Sequence, residues 1–303
     1  MKNNARILMA ATALLGLCLL NAAQAQIYVA NSGPSEGTGT IGEYTTSGGT
    51  VNASLVSGLS PWGLAVSGED IYVTSGNTIG EYTTAGATVN ASLVTGLSEP
   101  SFLAVSGADI FVANYGNGTI GEYTTAGATV NASLVSGLSF PWGIAVSGAD
   151  IFVGNYGPSS TIGEYTTAGA TVNASLVTGL SYPAGLAVSG GNIFVASWDL
   201  GNGTIGEYTT AGATVNASLV SLLYQPLGLA VSGGDIFVAN VDYGTIGEYT
   251  TAGATVNASL VSGLSNPYGL DVEEVPEPST WALLAGGLGG WLLWRCRRRR
   301  TLV

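Results

Sequence analysis

Apolar residues along the chain fall in short runs of three to five, such as Gly143-Ile144-Ala145-Val146, Ile151-Phe152-Val153, Thr161 to Tyr165 and Asn173 to Val177, each bounded by Gly, Ser, Asn or Pro. Runs of this length, rich in Ile, Val, Phe, Tyr and Thr between turn residues, predict strands, and none shows the 3.6-residue recurrence of a helix. The four runs recur as a unit. Ile-Gly-Glu-Tyr-Thr-Thr begins at Ile41, Ile79, Ile120, Ile162, Ile205 and Ile246, at spacings of 38, 41, 42, 43 and 41. A period near 40 with several strands per unit predicts a propeller or a solenoid. The ends of the array separate the two. The first unit lacks its opening strand and starts with Ile27-Tyr28-Val29-Ala30, while the last stops after Gly269-Leu270-Asp271-Val272, so the two fragments complete one unit. Residues 26–274 are therefore expected to form an all-β, six-bladed β-propeller with four antiparallel strands per blade, closed by the N- and C-terminal strands. Closure also protects sheet edges.

Two apolar stretches lie outside the array. Lys2 and Arg6 precede the run Ile7 to Leu20, which is followed by Ala23-Gln24-Ala25; this order predicts a signal peptide over residues 1–25. Residues 275–303 hold Val275-Pro276-Glu277-Pro278-Ser279-Thr280, then the apolar run Trp281 to Trp294, then Arg295, Cys296 and Arg297 to Arg300. The charge-free stretch from Pro278 to Trp294 is 17 residues, the short limit for a transmembrane helix, and the arginines would hold its end in the cytoplasm with the body outside. This arrangement resembles the PEP-CTERM sorting signal of Gram-negative bacteria. The resemblance implies Pro276, Glu277 and Pro278 as the sorting motif, and an exosortase with the secretion machinery as partners. It further implies a route through the inner membrane to the cell surface or extracellular matrix.

Charge narrows the chemistry of the array. From Gln26 to Glu274 there is no Lys, Arg or His, and 18 of the 19 acids lie there, giving a formal charge of −18. Such a body cannot neutralise phosphates or an acidic membrane surface, so nucleic acid and anionic lipid are excluded as its partners. The two cysteines, Cys18 and Cys296, are at the ends, so packing and backbone pairing must hold the exported body together. Without His, Lys, Arg or Cys, the familiar general bases, thiol nucleophiles, Schiff bases and zinc sites are absent, leaving hydroxyls and carboxylates. A carboxylate-dependent carbohydrate hydrolase, using acids such as Asp199 or Asp242, is the enzyme class still open.

The succession Pro-x-Gly-Leu-Ala-Val, Asp-Ile-Phe-Val-Ala-Asn and Thr-Ile-Gly-Glu-Tyr resembles the NHL and streptogramin-lyase-like propellers over nearly all of residues 27–274. That resemblance implies the fold. The chemistry of the lyase relatives needs a histidine and a bound metal, and this chain has no histidine.

Strand direction alone puts the second-to-third connection of each blade and the blade-to-blade connection on one face. The opposite face repeats nearly unchanged; the first face is where the copies differ. Trp62, Phe140, Trp142, Tyr182, Trp198 and Tyr268 lie there and are candidate ligand-binding residues, accompanied by Glu99, Ser101, Tyr115, Tyr156, Tyr224, Asp242 and Tyr243. Aromatic rings with a few acids hold sugars by stacking and hydrogen bonds and serve as anchors for protein partners. Residues beside a proline also serve to plug the seams between blades. Glu43, Glu81, Glu122, Glu164, Glu207 and Glu248 recur once per blade; they form either a solvated ring or a site for a hard cation such as Ca²⁺. Asn52, Asn90, Asn131, Asn173, Asn216 and Asn257 each open Asn-Ala-Ser, formally a glycosylation sequon but read here as a turn or strand-start asparagine. Asp271 replaces the alanine found at Ala65, Ala104, Ala145, Ala187 and Ala230. The expected function is non-catalytic binding of polysaccharide or a protein partner, with a hydrolase or a bulk coat protein as alternatives.

Overall fold

The structure, a computed structural model, describes residues 25–157, 160–199 and 202–273. The expected signal peptide, the sorting motif Pro276-Glu277-Pro278 and the transmembrane run lie outside the described residues. Residues Gln26–Glu273 form one compact unit.

That unit consists of six four-stranded antiparallel sheets. Blade II shows the plan, with Pro61–Ser67 innermost, then Asp70–Ser75, Thr78–Thr83 and Thr88–Thr95 outermost. Blades III to VI repeat it over residues 100–135, 141–177, 183–223 and 226–262. Blade I is composite: Pro267–Glu273 is its inner strand, and Gln26–Asn31, Gly39–Thr45 and Thr50–Leu59 complete it. The register Ile27↔Val272 and Val29↔Leu270 joins the two chain ends, which is the closure expected from the incomplete first and last repeats.

The core lies between blades. One cluster joins Ile79 and Val94 of blade II to Ile110, Val112 and Tyr123 of blade III, and its equivalents recur around the ring. Each large side chain so buried contributes roughly 1.5–3 kcal/mol. The Ile-Gly-Glu-Tyr motif follows from this packing, because the tyrosine ring folds back over the glycine two residues earlier. A Cβ on Gly80 would lie 2.8 Å from Cε2 of Tyr82, and the other five copies are as tight.

The outermost strands carry a regular defect. Between Ile79↔Val94 and Glu81↔Asn90 the outer strand has two residues more than its partner. Asn90 Oδ1 accepts a hydrogen bond from Ser92 N–H at 3.1 Å inside this bulge, and Asn52, Asn131, Asn173, Asn216 and Asn257 do the same. The Asn-Ala-Ser triplet thus has a structural reason in every blade: it bends the exposed edge of the sheet, which hinders edge-to-edge pairing.

Candidate ligand-binding face

The variable face is built by tying two loops together in five of the six blades. The residue before the proline adopts a left-handed backbone at Glu99, Phe140, Tyr182, Gln225 and Asn266, with φ from 45° to 53°. Its carbonyl accepts a hydrogen bond from the second-to-third loop: Tyr115 N–H to Glu99 at 3.1 Å, Tyr156 to Phe140 at 3.0 Å, Trp198 to Tyr182 at 3.1 Å. Non-glycine residues held at positive φ cost of order 1–3 kcal/mol each, and Leu222, at φ 62° just before Tyr224 and Gln225, adds a sixth.

The tie brings the aromatic side chains into contact. Tyr268 stacks on Trp62 at 4.8 Å between centroids, and Trp62 meets Trp142 edge-on at 5.5 Å. Trp142 contacts Tyr115 at 5.3 Å and Tyr156 at 5.3 Å. Phe140 joins through Tyr115 at 5.0 Å, and Tyr182 and Trp198 join through Tyr156 at 4.9 and 6.2 Å. All six candidate aromatics therefore belong to one chain of rings reaching from blade I to blade V. Tyr115 and Tyr156 are the links. Their signal in the sequence is a tyrosine just after the Phe-Val-Ala-Asn or Phe-Val-Gly-Asn strand end, and it was the junction role, not the position, that the sequence left unseen. A separate pair, Tyr224 and Tyr243, meets at 4.1 Å with the rings tilted by 40°.

Two kinds of ring occur. Trp142 and Tyr268 are half-buried against Ala184, Leu227 and Val241. Phe140 and Tyr182 stand 46% and 47% exposed. Burial, with Tyr182 and Tyr115 close by, pushes the Tyr156 hydroxyl up to about 12, so it stays a neutral donor in the physiological range.

Trp62, Tyr115 and Trp142 wall a pocket of about 310 Å³, completed by Gly76, Asn77, Glu99, Pro100 and Ser101. Trp142 stands at 82° to Trp62 and 88° to Tyr115. Trp62 and Trp142 belong to blades II and IV, and they meet because blade III has Ser101 at the same place. The Ser101 hydroxyl is turned inward, within 3.2 Å of the Ala113 and Pro141 carbonyls and 2.8 Å of that of Trp142. Trp142 Nε1 is buried with no hydrogen-bond partner among the described residues.

The glutamates behave differently from the cation-site expectation. They sit on the third strand of each blade, two strands out from the inner ring, so six-fold symmetry spreads them around the circumference. Among the described residues no three acids come together as a metal site. Two of them take a partner within their own blade: Tyr72 donates its hydroxyl to Glu81 at 3.4 Å, and Asn192 Nδ2 donates to Glu207 at 2.7 Å. Burial, then a nearby acid, raises Glu81, Glu122, Glu164 and Glu248 above the usual carboxylate range; the acids are Asp70, Asp109, Asp150 and Asp235. Burial and Glu273 raise Glu43.

Asp271 lies beside the central channel and bonds across a seam. Its Oδ2 accepts from Val66 N–H of blade II at 2.9 Å, and its Oδ1 from Val272 N–H at 2.8 Å.

The body fixes an architecture, and the tail fixes an address. Residues 274–299 form a PEP-CTERM protein-sorting motif. The chain is thus an exported protein, sorted by an exosortase on its way through the membrane to the cell surface, with a six-bladed propeller as its body. The signal peptide and transmembrane element expected from the sequence are consistent with that motif. No curated protein matches the chain. Among solved structures it is similar to a chain of a nidogen/laminin complex, at 14% identity and a TM-score of 0.69, over 82% of this chain and 98% of that one. It is also similar to a catalytically inactive histidine-to-alanine virginiamycin B lyase from Staphylococcus aureus with quinupristin, at 23% identity and a TM-score of 0.52, over 66% and 69%. A functionally unknown protein from Desulfotomaculum acetoxidans matches at 14% identity and a TM-score of 0.59, over 82% and 90%. At these identities the likeness concerns the fold.

Proposed function

We propose that the propeller is a non-catalytic binding module of a Gram-negative cell surface or extracellular matrix, and that its variable face holds polysaccharide. The observation that carries this reading is the chain of eight rings from Tyr268 to Trp198, which crosses five blades on the face where the repeats differ. An extended run of half-exposed aromatics suits an extended ligand of stacked sugar rings better than a compact one. The lyase similarity does not carry activity over, because the inactive form of that enzyme lacks one histidine and this chain has none at all.

The test is co-sedimentation of the intact protein, purified in detergent, with the producing cell's own extracellular polysaccharide. A variant with Trp62, Trp142, Trp198 and Tyr268 changed to Ala serves as comparison, its fold checked by circular dichroism. Saturable binding that the folded variant loses is expected. Saturable binding to a surface protein but not to polysaccharide would transfer the face to a protein partner, and no saturable ligand of either kind would favour a bulk coat.

A further inference from the structure

The pocket between blades II, III and IV has a charge that no part of the body answers. Glu99 lines it, exposed at the rim, and the body contains no Lys, Arg or His to pair with a carboxylate. Its other polar groups are the Asn77 amide, the Tyr115 hydroxyl, the indole N–H groups of Trp62 and Trp142, and the Ser101 hydroxyl, which is already engaged with backbone carbonyls. Everything else facing the space is aromatic ring, proline or glycine. An ionised carboxylate only accepts hydrogen bonds, so its natural partner in a ligand is a donor, and a charged donor most of all. Aromatic walls point the same way, since a ring face attracts a cation.

We infer that this pocket takes the protonated amine of an amino sugar, so that the polysaccharide held by the aromatic face is one with free amino groups. The inference rests on the reading of that face as a glycan-binding surface and names the class of sugar it selects. The size fits, since about 310 Å³ is within the range usual for small-ligand sites. The net field points the same way. A body at −18 without a single cation repels chains of uronates, sulfates or phosphates and attracts a polycation. A lysine side chain would satisfy Glu99 as well, but it has no use for the five further rings, Tyr268, Phe140, Tyr156, Tyr182 and Trp198, that continue beyond the pocket walls.

Titration calorimetry of the intact protein in detergent decides the matter, with four probes of matched length: a glucosamine oligomer, its N-acetylated counterpart, a uronate oligomer and a lysine-containing peptide. It is run at a pH where the amines are protonated. The glucosamine oligomer should bind at least roughly tenfold tighter than the acetylated one, the uronate should not bind, and salt should weaken the preferred complex. Glu99→Gln should erase the preference by weakening only the amine-bearing oligomer. Because Glu99 is exposed, this variant should keep the melting temperature of the parent, and Glu99→Gly, which accepts the left-handed backbone, gives a second test of the same charge. Equal affinity for both oligomers with a silent Glu99→Gln would overturn amine selection while leaving the glycan-binding reading in place. Tighter binding of the lysine peptide, sensitive to Glu99, would overturn the sugar in favour of a protein partner. Binding of the native polysaccharide but none of these oligomers would overturn the amino-sugar assignment alone.

Discussion

Asp271 shows how a single departure from a repeat is explained once its neighbours are known. Five blades have alanine at that place, and an alanine makes no side-chain hydrogen bond, so the inner strands there pack by shape alone. In blade I the inner strand is the C-terminal one, and Asp271 fastens it to Val66 of blade II while Tyr28 fastens it to the N-terminal strand through Glu273 at 3.2 Å. The tyrosine hydroxyl is raised well above its usual range, first by burial and then by the charges of Glu273 and Glu43, and so remains a donor to that carboxylate. Asp271→Ala should therefore lower stability by about 1.5–3 kcal/mol, the usual worth of hydrogen bonds to a charged group, and Asp271→Asn by less. Denaturant midpoints would record this. An unchanged midpoint in Asp271→Ala would mean that the closing strand is held by backbone pairing and packing alone.

At the scale of elements, the seams depend on turns that reach across to the preceding blade. Gly48, at φ +85°, lies over the outer strand of blade VI, where an added Cβ would come within 2.5 Å of the Leu260 carbonyl oxygen. Gly58 has nearly the same φ, +82°, with open space around it. Alanine at either position bears the backbone strain, of order 1–2 kcal/mol, but only Gly48→Ala must also push two blades apart. Gly48→Ala is expected to cost clearly more than Gly58→Ala in equilibrium unfolding, and equal losses would show that the closing seam yields freely. Strands, blade number and closure were all legible in the chain because a repeated unit displays its pattern six times and its ends display the join. The bulge was not, since Asn, Ala and Ser fit a strand or a turn equally well and only the register exposes the two extra residues. The site was legible in part. Strand direction assigns the aromatics to one face, but the meeting of Trp62 with Trp142 depends on inner strands converging at the axis and on Ser101 being small in the blade between them.

For the whole molecule, the distribution of charge decides how stability responds to the medium. Every ionised side chain of the described body is acidic, so no ion pair offsets their mutual repulsion, and in four blades a glutamate is held beside an aspartate. Burial and that neighbour raise these four glutamates, and burial and Glu273 raise Glu43, above the ordinary value of 4.5. The folded state then binds protons more tightly than the unfolded chain. By linkage, the favourable contribution is fully present below the unfolded glutamate value and is lost as pH rises through the raised folded values. Mild acid should stabilise the body, in contrast to proteins whose carboxylates are paired with cations and which lose stability on acidification. Salt acts on the same repulsion, since at about 0.15 M charges more than about 8 Å apart are largely screened. In low salt the melting temperature is accordingly expected to be higher near about pH 5 than near about pH 7.5, and added NaCl should recover part of the loss. The shift should be a few degrees, because about 1 kcal/mol moves the midpoint of a domain this size by roughly 2–4 °C. Changing Glu81, Glu122, Glu164 and Glu248 together to Gln should flatten the pH profile and raise the neutral-pH midpoint. A parent profile already flat in pH and salt would mean that solvent screens these pairs completely, and that the −18 charge of the body is felt by its partners but not by its fold.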